Sequence, residues 1–365
     1  MRTSFPFRNL EPTFCSGLFD DPLLLVRMRS AGRNLLFDCG QLHHLAKRLL
    51  TAIDAVFISH AHMDHWMGID NLIRHRHAAP GTIEIFGPPG LADKLEHKLA
   101  GYDWNLAEDF WGSLLVHEVA KRAIRRSLFA GPRAFRREEL GESPCADRII
   151  YRTPHLQVRA ASCEHRVPSL IFRVDEQPTF LIDRAKLEQS GLVPGPWLGE
   201  LKRIFFAPEG EERALKVLRR DGQGMREVEV ANPRDLSRRL QCAQPSAALG
   251  YISDLGFTAH NRKQILALMQ GVDLLCCECT FLAAAEGKAR TSSHLCTRDV
   301  NQLLAELQPT FFLPMHLSKS YNHHAGELYR ELQPPSGTTL LQLPPRRTAQ
   351  PLLAREMAWR IYSPS

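Results

Sequence analysis

The sequence predicts an α/β fold made of layered strands and helices, with one inserted arm. Short apolar runs separated by turn residues fill residues 1–60, which is typical of β-hairpins. In the second half, apolar runs of strand length alternate with segments of helical periodicity, which favours strands joined by helices. A polar stretch over residues 183–244, rich in Gly, Pro and charged side chains, interrupts that pattern. We therefore treat residues 1–365 as a single domain that carries a flexible arm at 183–244.

The first part of the chain begins with a predicted hairpin and continues into strands that alternate with helices. A turn at residues 30–32 joins the two strands of the hairpin, and the strand at 55–59 ends at a cluster of histidines. The predicted strands are 23–28, 34–40, 55–59 and 82–87, and the predicted helices are 66–75 and 91–100.

Residues 101–145 contain several Lys and Arg side chains without a clear apolar pattern. One interpretation is a basic insertion into the fold. The other, which we favour, is the solvent-exposed face of a helix, because runs of charge are most often simply solvated.

The rest of the chain returns to apolar runs bounded by turn residues. The segments 169–174 and 179–182 read as a second hairpin. The predicted strands are 149–151, 157–160, 247–254, 272–277 and 310–315, and the predicted helices are 260–270 and 297–307.

Composition narrows the class of protein without identifying a partner. The net charge of +6 is mildly basic, so it is weak evidence for nucleic acid and fits a solubilising surface equally well. Nine cysteines show no framework spacing, and residues 1–18 lack the apolar core of a signal peptide. No apolar run approaches the roughly 20 residues of a membrane span. We therefore expect a cytoplasmic protein without a membrane segment.

The segment His60-Ala61-His62-Met63-Asp64-His65 carries the strongest chemical signal. In an extended chain His60 and His62 point to the same side, where they can bind one ion together. Asp64 and His65 follow a turn and can face a second ion. Because zinc prefers histidine nitrogen and carboxylate oxygen, the segment predicts a two-metal site.

Further ligands are expected at the ends of other strands. His165 follows the strand that ends near residue 162, Asp254 ends the strand at 247–253, and His316 follows the strand at 310–315. A lone histidine or aspartate in a loop is usually only hydrogen-bonded. Three of them at the ends of three apolar runs favour a shared metal site.

These motifs resemble those of a known family. His-x-His-x-Asp-His is the hallmark of the metallo-β-lactamase superfamily, and several further segments are similar to ribonuclease Z, its tRNA 3′-end endonuclease. The similar segments, in order, are His165-Arg166-Val167-Pro168-Ser169, residues 186–202 with Gly195-Pro196, Glu278-Cys279-Thr280-Phe281, Ser293-His294-Leu295 and residues 314–321. The resemblance implies an αβ/βα sandwich from about residue 34 to residue 321, with 183–244 as an RNA-binding arm.

The chain departs from the family pattern at several places. Met63 stands where the family has Gly, and Leu255 follows Asp254 where the family has Thr. The glycine-rich first strand is replaced by residues 14–18, whereas Asp38-Cys39-Gly40 is kept.

The resemblance also implies a role for each matching residue. His60, His62 and His165 would bind one zinc ion, Asp64, His65 and His316 the other, and Asp254 would bridge the two. Two such ions, about 3.5–4 Å apart, would activate a water molecule and hold a phosphate oxygen. Asp64 would orient or deprotonate that water, and His294 would protonate the leaving oxygen. Glu278 and Asp38 are expected beside the ligands rather than on the metal.

The implied substrate is precursor tRNA, held by an arm in which Lys186, Gly195, Pro196 and Lys202 are the candidate contact residues. Arg213 and several other basic residues of the arm would contact phosphates, which position RNA without reading its sequence. The alternative is a structural insertion that closes over the cleft or packs a dimer. The resemblance further implies a homodimer and two Zn²⁺ per subunit, with Mn²⁺ as the alternative metal.

Two other functions remain open at this point. A small-molecule hydrolase, such as a cyclic-nucleotide phosphodiesterase or a lactonase, would use the same scaffold, since fold alone does not fix function. A metal- and RNA-binding protein without catalysis is the second, although the complete ligand set argues against it.

Overall fold

The computed structural model describes residues 5–29, 31–177, 180–206, 214–221, 224–242, 246–346, 352–353 and 358–361. The chain divides into two compact units. Met1–Glu176 together with Ala247–Ser365 form the main unit, and Gln177–Ser246 form the inserted unit.

A nine-stranded sheet forms one layer of the main unit. Its strands are β1 (Leu10–Phe14), β2 (Leu24–Met28), β3 (Arg33–Phe37), β4 (Ile53–Phe57), β5 (Thr82–Gly87), β6 (Ser113–Val119), β7 (Ala123–Ala130), β8 (Arg137–Pro144) and β19 (Leu352–Leu353). Their order is β19-β1-β2-β3-β4-β5-β6-β7-β8. The central strands β3 to β6 run parallel, and the outer pairs are antiparallel.

An eight-stranded sheet forms the second layer. Its strands are β9 (Ile149–Arg152), β10 (Leu156–Glu164), β11 (Pro168–Glu176), β15 (Ala248–Ile252), β16 (Leu274–Glu278), β17 (Phe311–Met315), β18 (Thr339–Gln342) and β20 (Ala358–Ile361). Their order is β20-β18-β17-β16-β15-β11-β10-β9, and β15 to β18 run parallel.

Helices connect the parallel strands and cover the sheets. In the main unit they are α1 (Lys47–Thr51), α2 (Met63–Trp66), α3 (Ile69–Arg76), α4 (Leu91–Leu99), α8 (Ala259–Met269), α9 (Glu286–Ser292), α10 (Thr297–Leu307) and α11 (Ala325–Glu331). Within the described residues, none of the helices combines the length and apolar character that crossing a bilayer requires.

The inner faces of the two sheets pack against each other through large apolar side chains. Phe37 and Phe57 stack at 4.8 Å between ring centroids, and Phe172 of the opposite sheet meets both at 5.8 and 5.7 Å. The outer face of the first sheet is covered by apolar residues of α3 and α4, such as Leu72 and Leu95. Burial of this apolar surface is the main stabilising term of the fold. The result is an αβ/βα sandwich.

The inserted unit has a small core of its own. Its elements are α5 (Arg184–Gln189), β12 (Leu192–Val193), α6 (Trp197–Phe206), β13 (Leu215–Asp221), β14 (Gly224–Val230) and α7 (Pro233–Leu240). The buried residues include Leu187, Trp197, Leu201 and Leu236. The Trp197 indole Nε1 donates to the Val193 carbonyl at 2.9 Å, which ties α6 to β12.

Most of the predicted elements are confirmed, and two predictions are wrong. Residues 101–145 do not form a helix face, because most of them lie in β6, β7 and β8. Apart from the buried Glu118, the charged side chains of this antiparallel meander are exposed or half-buried, as on the solvent face of a sheet. The hairpin of 169–174 with 179–182 does not form either: β11 pairs with β10 and β15, and Ile182 bridges Gln241. Residues 178–179 lie outside the described part of the chain.

Candidate metal centre and active site

The carboxyl ends of parallel strands from both sheets meet at one edge of the main unit. Five of these strands end at, or are followed by, a residue that the sequence pattern singled out, and parallel strands bring their ends to the same edge. These residues are Asp38 after β3, His60 after β4, Asp254 after β15, Glu278 at the end of β16 and His316 after β17. His165 joins them from the turn between β10 and β11.

The histidine motif changes from strand to helix within a few residues. His62 has extended backbone angles and precedes α2, whose first turn contains Asp64 and His65. The His60 Nε2 and His62 Nδ1 atoms lie 2.9 Å apart. The extended part therefore places two imidazoles side by side, and the helical turn directs the next two ligand-type side chains elsewhere.

His60, His62 and His165 form the first of three groups in which all ligand atoms lie within 4.8 Å of one another. The Nδ1 atom of His165 lies 2.7 Å from the Ser293 carbonyl oxygen, so Nδ1 donates and Nε2 is left to accept or ligate. A backbone contact of this kind fixes the ring before any ion binds.

Asp64, His65, Asp254 and His316 form the second group, within the same 4.8 Å limit. His316 Nε2 lies 3.2 Å from Asp64 Oδ2, and its Nδ1 lies 3.0 Å from Asp254 Oδ1. Asp254 Oδ2 is 3.2 Å from His65 Nε2, 4.0 Å from His60 Nε2 and 3.8 Å from His165 Nε2. Asp254 therefore lies between the two groups, where a bridging carboxylate would have to be.

Asp38 contacts His65 directly and is linked to His60 through the Ser59 hydroxyl. Its Oδ2 atom lies 2.9 Å from His65 Nδ1 and accepts from the hydroxyls of Ser59, Tyr251 and Ser253 at 2.9, 2.9 and 3.0 Å. The Ser59 hydroxyl is also 3.1 Å from His60 Nδ1. Although burial raises the pKa of Asp38, the charge and hydrogen bond of His65 lower it overall. One ionised carboxylate thus orients ligands of both groups.

Glu278, Thr280 and His294 form a second supporting set. The third group, Asp254, Glu278, His294 and His316, shares Asp254 and His316 with the second. His294 Nδ1 lies 3.3 Å from Glu278 Oε1 and 3.9 Å from Asp254 Oδ2. The Thr280 hydroxyl donates to Glu278 Oε2 at 2.5 Å, and Glu278 Oε1 also accepts from the Leu255 backbone N–H at 3.0 Å. Glu278 is fully buried. Its carboxylate both fixes the backbone at Leu255 and contacts the His294 ring.

The pKa values of the histidines and carboxylates at this edge depend on one another's charges. Burial and the positive charge of His65 lower the pKa of His60 to about 3. Burial opposes protonation of His316, but Asp254 and Asp64 raise its pKa to about 10. The same pairs hold the pKa of Asp254 well below its usual range in spite of its burial. The carboxylates are therefore ionised, and protons on histidine supply the compensating positive charge.

The donor set fits divalent metal ions. Within the part of the chain that the structure describes, His65 Nε2 and Asp254 Oδ1 are buried atoms without a hydrogen-bond partner of good geometry, although other polar atoms lie within 3.5 Å of them. Unpaired buried polar atoms are costly, and a metal ion would satisfy both. Imidazole nitrogen with carboxylate oxygen is a donor set that suits zinc-type cations.

All seven predicted ligand residues, with Asp38, Glu278 and His294, are brought together at this edge. Sequence reasoning missed Ser59, Tyr251, Ser253 and Thr280, whose hydroxyls contact the supporting carboxylates. A signal existed for three of them, since Ser59 and Ser253 directly precede a predicted site residue and Thr280 lies two residues after one. No sequence pattern marks Tyr251, which reaches Asp38 from the opposite sheet.

Comparisons with known proteins identify the family of the chain. A family model described as a beta-lactamase superfamily domain matches residues 33–124. The chain is 30% identical to ribonuclease Z of Deinococcus radiodurans over 79% of its own length and 83% of that protein. It is 27% identical to ribonuclease Z of Brevibacillus brevis over 84% of this chain and 82% of the relative.

Among solved structures, human tRNase Z, short form, matches with a TM-score of 0.48 and 16% identity, covering 85% of this chain and 93% of that one. The identity and coverage of the bacterial relatives carry the assignment. The chain belongs to the ribonuclease Z family of the metallo-β-lactamase superfamily.

Proposed function

We propose that this protein is a metal-dependent endoribonuclease that removes 3′ trailers from tRNA precursors. The observation that carries the proposal is the edge where Asp254 lies between two ligand groups, in a chain with ribonuclease Z relatives along most of its length. A two-metal site of this kind would suit hydrolysis of a phosphodiester. The site would hold two zinc ions, with manganese as the alternative.

Two bound zinc ions would activate a water molecule and stabilise negative charge on the scissile phosphate. His60, His62 and His165 would hold one ion, Asp64, His65 and His316 the other, and Asp254 both. The Asp64 side chain is 41% exposed, the most accessible carboxylate of the set, so it can contact the attacking water and accept its proton.

His294 supplies the second proton-transfer function in this proposal. The nearby Glu278 carboxylate raises the pKa of His294, against the effect of burial, and so favours the protonated ring. As the bond from phosphorus to the 3′ oxygen breaks, His294 donates its proton to that oxygen. The tRNA product then ends in a 3′ hydroxyl, and the trailer keeps the phosphate.

The inserted unit, which contains the arm at 183–244, would bind the body of the tRNA. Lys186 on α5 and Lys202 on α6 are exposed, as cations that contact phosphates must be. Gly195 and Pro196 form the turn before α6, with the Leu198 N–H donating to the Gly195 carbonyl at 3.1 Å. A tRNA would be recognised by its shape and its backbone phosphates rather than by sequence. Arg213, a further candidate, lies outside the described residues.

The proposal includes a cytoplasmic homodimer. All nine cysteines are free thiols, which supports a reducing compartment. The dimer rests on the family resemblance, in which the arm of one subunit serves the site of the other.

A 3′-extended tRNA precursor tests the function directly. We expect a single cut that leaves the tRNA ending at the discriminator nucleotide, and we expect Asp254→Asn to abolish it. The control substrate is bis-p-nitrophenyl phosphate, which a small-molecule hydrolase would also cleave. Full turnover of that ester without any cut in the precursor would contradict the proposal. Two bound zinc ions without turnover of either substrate would favour a non-catalytic RNA-binding protein.

A further inference from the structure

A small apolar cavity of about 160 Å³ opens directly beside the candidate metal centre. Ala61 and His62 of the histidine motif line one side of it, Pro88 and Pro89 a second side, and Val167 a third. Since His62 belongs to the first ligand group, the cavity and the metal centre share a wall. Whatever fills this cavity therefore lies next to the candidate metal centre, where the scissile phosphate would bind.

The fold brings these walls together for identifiable reasons. β4 and β5 are parallel neighbours, so the His60–Asp64 segment after β4 lies beside the Pro88–Leu91 turn after β5. The first residue of β11, Pro168, completes the third side, and the Leu170 N–H donates to the Ser59 carbonyl at 2.8 Å. The three segments are thus fixed to one another by main-chain pairing.

The turn after β5 is held rigidly. The buried Glu118 carboxylate accepts from the backbone N–H groups of Gly90 and Ala92 at 2.5 and 3.4 Å. Gly90 has a φ of +88°, which glycine adopts at little cost. A Cβ on Gly87 would lie 2.3 Å from a Leu91 methyl group, so the chain is closely packed there. The cavity is preformed and loses little entropy when it is filled.

Its chemistry suits one planar apolar group attached to a phosphate chain. Val167 is 39% exposed, so its aliphatic side chain is accessible to a group that enters the cavity. Lys94 lies at the cavity, its ammonium held 3.3 Å from the Gly90 carbonyl. A cation beside an apolar recess matches a base joined to a phosphate. The volume is below that of a pocket for a drug-sized ligand and suits a single base.

We propose that this cavity is a nucleobase subsite, which takes one unpaired base of the RNA next to the scissile phosphate while Lys94 contacts a neighbouring phosphate. The proposal rests on the proposed RNA substrate and adds a base-binding site to it. Unpaired bases are bound in proteins by stacking on flat side chains such as the histidine ring, and His62 lines this cavity; such contacts tolerate any base. The subsite would set the position of the cut without demanding a sequence.

Abasic substrates test the subsite. Precursors that carry a single abasic nucleotide, placed in turn at each of the positions flanking the cut, are compared by kcat/KM. With the unsubstituted chain we expect one position to lose about tenfold when its base is removed, as base stacking on proteins typically contributes that much. In Val167→Glu, removal of that base should cause no further loss of kcat/KM. The variant should cleave the intact precursor only as well as the unsubstituted chain cleaves the abasic one.

Further variants keep the test decisive. Val167→Ala is the second variant, needed in case the glutamate disturbs folding. It should show a smaller loss at the same position. The substitution changes only side-chain atoms, so the His165 N–H still donates to the Val167 carbonyl. Lys94→Gln should weaken cleavage at low salt more than at high salt, at all abasic positions alike. The matched control is Leu106→Glu, a 73% exposed leucine outside the cavity, which should keep the abasic pattern.

The results separate the two proposals. An unsubstituted chain that cuts the precursor but loses nothing at any abasic position would overturn the subsite alone. If the loss of kcat/KM caused by removing the base and the loss caused by Val167→Glu simply multiply, the two act independently, and the subsite is overturned too. A chain that does not cut any RNA would overturn the proposed function, and the subsite with it.

Discussion

The carboxylate of Asp38 lies 2.9 Å from Nδ1 of His65, and both side chains are fully buried. Asp38 follows β3 of the first sheet and also accepts from Tyr251 of the second. A single carboxylate therefore connects a ligand-type histidine to both layers of the sandwich. A carboxylate behind a histidine is a common way to orient a metal ligand, because it fixes the proton on one ring nitrogen and frees the other.

Asp38→Asn should therefore weaken metal binding more than it disturbs the backbone. Asp38 has a φ of +55°, a conformation that asparagine tolerates well, so the substitution removes charge without adding strain. We expect a loss of zinc affinity of about 10- to 100-fold. Competition with a chromophoric chelator measures it.

The matched control is Asp54→Asn. Asp54 pairs with Arg33 at 3.1 Å across a half-exposed surface, and such pairs contribute about 0–1 kcal/mol. Zinc affinity should not change. Equal affinity in Asp38→Asn and the unsubstituted chain would contradict the role of Asp38.

Metal binding should release protons. In the metal-free protein Asp254 and Asp64 raise the pKa of His316 to about 10, so its ring is protonated at pH 8. A histidine must lose a proton to bind an ion. His316 stabilises the metal-free fold fully below pH 6.5, and this contribution is lost as the pH rises towards 10. Zinc affinity should accordingly rise over the same range.

Calorimetric titration of the metal-free protein with zinc, in buffers of different ionisation enthalpy, counts the released protons. We expect two bound ions and at least one proton released at pH 8. In Asp254→Asn the number of ions should fall, since Asp254 lies between the two groups. Binding of two ions without any proton release would contradict the charge state described above.

Glu278→Gln should shift the pH dependence of cleavage. The Glu278 charge raises the pKa of His294 against the effect of burial. Removal of that charge lowers the pKa, so the protonated ring is lost at a lower pH. The alkaline limb of the pH profile of kcat should therefore move to lower pH in Glu278→Gln. It should vanish in His294→Ala.

Rates of precursor cleavage from pH 6 to 10 provide the test. Thermal unfolding of both variants is the necessary control, because Glu278 also accepts from the Leu255 N–H. An unshifted limb in a stably folded Glu278→Gln variant would show that His294 does not donate the proton.

The double variant Lys202→Gln, Arg219→Gln should weaken RNA binding without affecting the chemistry. Both side chains are exposed on the inserted unit, and removal of one cation from a phosphate lowers the salt slope by about 0.7 to 0.9. The KM for precursor should rise, with bis-p-nitrophenyl phosphate turnover unchanged. Point variants are preferable to removal of residues 186–202, which would take Leu187, Trp197 and Leu201 out of the small core. An unchanged salt dependence would favour a purely structural insertion.

Local patterns in the amino-acid sequence were enough to specify the class of fold and the residues of the candidate metal centre. Apolar runs of strand length predicted β4, β5 and β17, and the spacing from His60 to His65 predicted a metal site at a strand end. These signals are local, because strand formation and metal-ligand spacing depend on residues close in the chain. The helix prediction for residues 101–145 was wrong for the same reason, since exposed strands and exposed helices carry similar charged residues.

The surroundings of those ligands, in contrast, depend on the packing of the whole molecule. Tyr251 and Asp38 are 213 positions apart in sequence and meet because two sheets pack face to face. The cavity beside His62 exists because β4 and β5 are parallel neighbours and β11 begins next to them. Arrangements of this kind depend on which sheet faces close on each other, a property of the whole packed core that no short segment encodes.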